Sequence, residues 1–63
     1  MISDPNILLS YINTKLRDFY SSLDSLCDDL DLDKKEVEEK LASIGYYYDI
    51  DRNTFILLKK DGK

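Results

Sequence analysis

A chain of 63 residues is long enough for one small domain, and at 43% hydrophobic and 35% charged it groups with folded soluble domains rather than disordered tails. Its single cysteine excludes an internal disulfide framework, the lack of histidine removes the commonest general base, and no apolar run approaches the ~18 residues that span a bilayer. The net charge of −4 weighs against polyanionic partners.

Met1–Ser3 reads as a frayed end. No basic segment precedes the short apolar run Ile7-Leu8-Leu9, so a signal peptide is not expected, and with one cysteine the expected location is cytoplasmic. Asp4-Pro5 is a helix start, with Asp as N-cap and Pro at the first helical position, where its missing N–H costs nothing. The first helix is expected to run to about Tyr20 with Leu8, Leu9, Ile12, Leu16 and Phe19 as its apolar stripe.

Ser22–Gly45 is the stretch around which the chain is organised. Leu23, Leu26 and Leu30 recur at helical spacing, as do Val37, Leu41 and Ile44. Ser22 caps a helix over about Leu23–Asp29, and Asp33 caps another over about Lys34–Ser43. Asp31 stands where the turn wants a left-handed residue, small Cys27 where the two helices cross, and Gly45 at the stop. This is a helix-turn-helix pattern. It carries eight acids against three lysines, a charge of −5, so the whole negative excess lies here. Opposite charges at (i, i+4), namely Lys34 with Glu38, Lys35 with Glu39 and Glu36 with Lys40, describe a self-compensated solvated face.

After Gly45 the period becomes extended. Tyr46-Tyr47-Tyr48 and Thr54-Phe55-Ile56-Leu57 favour strands, and Asp49–Asn53 supplies turn residues, with Asn53 or Asp51 suited to a left-handed position. Tyr46, Tyr48, Phe55 and Leu57 are expected to face inward, and Lys59–Lys63 forms a polar tail. The fold class is therefore mainly α (α+β): a three-helix helix-turn-helix core followed by a C-terminal β-hairpin, winged-helix-like.

Catalytic and metal chemistry find little support. Asp49-x-Asp51-x-Asn53 and Asp29-x-Asp31-x-Asp33 open like calcium loops, but the sixth and twelfth positions are Thr54 and Lys60 in one and Lys34 and Lys40 in the other. Those positions need Gly and a bidentate Glu. Cys27 has no histidine to activate it and acids nearby, so it reads as a small core residue. No phosphate-cradling loop can be built from Gly45 and Gly62. No enzyme, cofactor or metal is expected.

Two kinds of partner remain. In the DNA reading, helix three enters the major groove with Lys34, Lys35, Glu38 and Glu39 near bases and backbone, and Lys59 and Lys60 lie near the wing. Duplex affinity comes largely from neutralising phosphates, which an element of charge −5 opposes. The favoured reading is a protein-interaction module, with a protein partner or a second copy. Tyr46, Tyr47 and Tyr48 are its candidate contact residues, because tyrosine is favoured at interfaces and adjacent strand residues put rings on both faces.

Asp4-Pro5, Asn13-Thr14-Lys15-Leu16-Arg17-Asp18, the leucine-rich acidic second helix, and Ile44-Gly45-Tyr46 leading into Tyr48-Asp49 and Asn53-x-Phe55 carry a resemblance to a family of small bacterial proteins named domain of unknown function 4250. It covers Asp4 to Phe55. It implies a stand-alone cytoplasmic protein and assigns no activity and no site residue. Within it Asn13 and Thr14 are poor helix formers, consistent with a local role such as bonding to the loop at Ser21-Ser22, or with plain helix surface.

Overall fold

A computed structural model describes residues 3–58. The expectations for Met1 and Ile2, and for the tail from Lys59 onward, lie outside the described residues. Three helices precede a two-stranded antiparallel hairpin: α1 Pro5–Asp18, α2 Leu23–Asp29, α3 Lys34–Ala42, β1 Tyr46–Asp49 and β2 Thr54–Leu57.

Each helix begins on the cap its sequence provides. Asp4 Oδ1 accepts the Asn6 N–H at 2.9 Å, Ser22 Oγ the Ser25 N–H at 3.1 Å, and Asp33 Oδ1 the Lys35 N–H at 3.0 Å. The α2–α3 turn is a Schellman arrangement. Leu32 N donates to Cys27 O at 2.8 Å, Asp31 N to Asp28 O at 3.4 Å, and Asp31 takes φ 57°. At the end of α3, Gly45 has φ 85°, and a Cβ there would come within 3.1 Å of a Leu57 methyl. The left-handed conformation is what favours glycine here, while the half-exposed Leu57 side chain would have to give by only a few tenths of an ångström to admit a Cβ.

The core is Leu8, Ile12 and Leu16 from α1, Leu23, Leu26 and Cys27 from α2, Val37 and Leu41 from α3, and Phe55 from β2. The expected inward face of the hairpin holds for Tyr46, Tyr48 and Phe55, since Tyr48 pairs with Phe55 and Tyr46 with Leu57. Leu57 is a correction. It is 48% exposed, because β2 ends beyond the cover of the helices.

Phe19 is a second correction. Helix α1 ends at Asp18, not Tyr20, and Phe19 as its C-cap adopts φ −129°, which turns the ring out of the apolar stripe to 69% exposure. Lys15 Nζ then lies 4.8 Å from the Phe19 ring centroid and 5.5 Å from that of Tyr11, covering part of both rings. Leu30 and Ile44 are half-buried rather than fully enclosed.

No helix among the described residues is long and apolar enough to cross a membrane.

Candidate functional site

Helix α3 packs against β1, and between them opens a groove of about 510 Å³. Lys35, Glu38, Glu39 and Ala42 form its helical wall; Tyr47, Tyr48 and Phe55 form the strand side. Residues 35, 38, 39 and 42 share one helical face, which is why the sequence spacing brings them into one wall. Five of the seven candidate residues thus meet in one place.

The other two do not. Lys34 points away, with Nζ 2.9 Å from Asp24 Oδ1, and that carboxylate holds the ammonium above its ordinary pKa. This ion pair joins α3 to α2 and replaces the expected Lys34–Glu38 pair. Among the described residues none of the three (i, i+4) pairs of α3 is closed. Tyr46 lines a different cleft, about 740 Å³, between α1 and the hairpin. In that cleft Arg17 is engaged by Asp18 at 2.9 Å and Arg52 lies 3.8 Å from Asp49.

The tyrosines divide by role. Tyr48 is structural: its hydroxyl accepts the Leu23 N–H at 3.2 Å, donates to Asn53 Oδ1, and its ring lies 5.6 Å from that of Phe55. Tyr47 faces the other side and is 44% exposed, which leaves it as the accessible ring of the groove.

Two asparagines hold this strand side in place. Asn13 bonds both main-chain groups of Phe55, so its partner is β2 and not the loop at Ser21-Ser22. Asn53, at φ 54°, donates through Nδ2 to Leu16 O at 3.2 Å and Tyr20 O at 2.9 Å. Those carbonyls lie at the end of α1, where helical partners run out. Asn53 was legible as a turn residue; its second task, closing a helix end 33 positions earlier, had no local signal. Phe55 was likewise missed as a groove residue because it read as core, and Ala42 carried no signal of its own.

Cys27 is buried and its thiol is pushed up first by burial and then by Asp24. The Asp49 and Asp33 carboxylates of the two calcium-like stretches accept backbone N–H groups, Asp49 from Asp51 at 2.9 Å and from Arg52 at 3.2 Å. These are turn and cap contacts.

Three helices followed by a hairpin, with an aromatic groove between α3 and β1, define the class of protein. The chain matches the family model described as domain of unknown function (DUF4250) over residues 2–55, and it belongs to that family. No curated protein and no solved structure matches it.

Proposed function

We propose that this chain is a non-enzymatic, cytoplasmic protein-interaction module on a helix-turn-helix scaffold, and that the groove between α3 and β1 is its contact surface. The observation that carries this reading is the composition of the groove: an accessible tyrosine and an apolar floor beside a wall with two carboxylates and one ammonium. An aromatic and apolar centre with a polar rim is what a protein partner engages.

The order of elements favours one competing reading, a winged-helix-like DNA-binding protein with α3 as reading head. Charge opposes it. Lys34 is already paired with Asp24, and Glu38 and Glu39 occupy the face that would meet phosphate. Light scattering of the purified protein, alone and mixed with duplex DNA at ~0.15 M salt, separates the two. The expected mass, monomer or dimer, is unchanged by the duplex. A stable protein–duplex complex overturns the interaction-module reading.

A further inference from the structure

The register of the hairpin leaves one edge satisfied and the other open. Leu58 N donates to Gly45 O at 2.9 Å, and antiparallel pairs alternate between bonded and non-bonded. Tyr47 with Ile56 and Asp49 with Thr54 are therefore the bonded pairs, and the main-chain groups of Tyr46, Tyr48, Phe55 and Leu57 point away from the ladder. On β2, both outward groups of Phe55 are taken by Asn13. On β1, the outward N–H and C=O groups of Tyr46 and Tyr48 have no partner among the described residues.

The groove is lined by Tyr47 and Tyr48, adjacent residues of β1 with opposite side-chain faces, and by Lys35, Glu38, Glu39 and Ala42 of α3 as its other wall. An unpaired edge is a template for a further strand, and main-chain bonds to it give affinity without demanding one sequence. The geometry points to an extended segment of a basic partner protein as the occupant, adding to β1 as a third strand and lying against α3. Alternate side chains of such a strand face the same way. Those turned toward α3 meet Glu38 and Glu39 next to Ala42 and the rings of Tyr48 and Phe55. Two carboxylates against Lys35, within a segment of charge −5, select lysine or arginine alternating with an apolar residue. A second copy fits less well, since joining two β1 edges sets the same acidic wall on both sides of the joint.

This inference rests on the interaction-module reading and sharpens it to a binding mode. The probe is a displayed library of random linear peptides selected against the full chain. Enriched peptides are resynthesised and titrated while the backbone amide resonances are followed. The expected result is enrichment of basic–apolar alternation, saturable shifts centred on the Tyr46 and Tyr48 amides, and loss of binding when the peptide amides on one face only are N-methylated. Glu38→Lys combined with Glu39→Lys, both outside the core, should weaken binding at least roughly tenfold. Enriched peptides that are acidic, or that shift resonances elsewhere and not β1, overturn the binding mode but leave the interaction-module reading standing. No enrichment at all, with a monomer in solution, overturns both. A dimer whose Tyr46 and Tyr48 amides are protected from exchange gives the edge to a second copy and overturns the heterologous partner.

Discussion

The side-chain amide of Asn13 pairs with both main-chain groups of Phe55, 42 positions further along: Nδ2 donates to the carbonyl at 3.2 Å and Oδ1 accepts the N–H at 2.8 Å. A helix side chain here does the work of a neighbouring strand, tying β2 to α1 while Phe55 enters the core. Asn13→Ala leaves two part-buried main-chain groups unpaired and should cost about 1–3 kcal/mol. The checks are a thermal melt and amide exchange at Phe55, which should quicken. Thr14→Ala, on the exposed side of the same helix, should stay within about 0.5 kcal/mol of the parent.

The two non-glycine residues with positive φ among the described residues should respond oppositely to glycine. Asp31, at φ 57°, is exposed and its side chain makes no bond among the described residues, so Asp31→Gly should be neutral or slightly stabilising. Asp31→Val should melt lower, since a β-branched residue resists that conformation. Asn53→Gly keeps an equally accessible backbone but strips the bonds to Leu16, Tyr20 and Tyr48, at a cost of about 1–3 kcal/mol. Melting the three variants side by side decides this; equal effects of glycine at both sites would contradict it.

Leu41 is fully enclosed between the helices. Leu41→Ala should cost about 2–5 kcal/mol, a large share of the stability of so small a domain, and circular dichroism should show much of it unfolded at ambient temperature. A melt close to that of the parent would mean that α3 does not pack through this residue.

These cases show what could be read from residues alone. Caps, turn and helical stripes are local, so Asp4, Ser22, Asp31 and Asp33 declared their tasks, and the alternation of Tyr46, Tyr48 and Phe55 declared the inner face of the hairpin. Phe19 and Leu57 misled because periodicity does not say where an element stops being covered. Lys34 misled because Asp24, on another helix, reaches it as well as Glu38 could. The groove was legible only in part: its charged wall follows from spacing on α3, whereas its floor of Tyr48 and Phe55 depends on long-range contacts by Asn13 and Asn53.

Burial, and secondarily Asp24, pushes the Cys27 thiol up. The unfolded chain therefore loses this proton at a lower pH than the folded one, and the stability linked to it falls as pH rises past the ordinary thiol range, ~8.5. Urea unfolding between neutral and alkaline pH should show a shallower decline for Cys27→Ala than for the parent, whatever the offset between them. The thiol should also react slowly with a disulfide reagent in the native protein and quickly in urea. Identical alkaline slopes would contradict the assignment.

On the proposed reading, charge and not the geometry of the helices decides what α3 contacts. Its most direct test is a titration of labelled random and genomic duplex at ~0.15 M salt with the parent chain and with Glu38→Lys, Glu39→Lys. The parent should show no binding tighter than about micromolar and no preference between duplexes, and the charge-reversed chain should bind measurably tighter and with a stronger salt dependence. Saturable, sequence-dependent binding of the parent at nanomolar protein would contradict the account and make α3 a reading head.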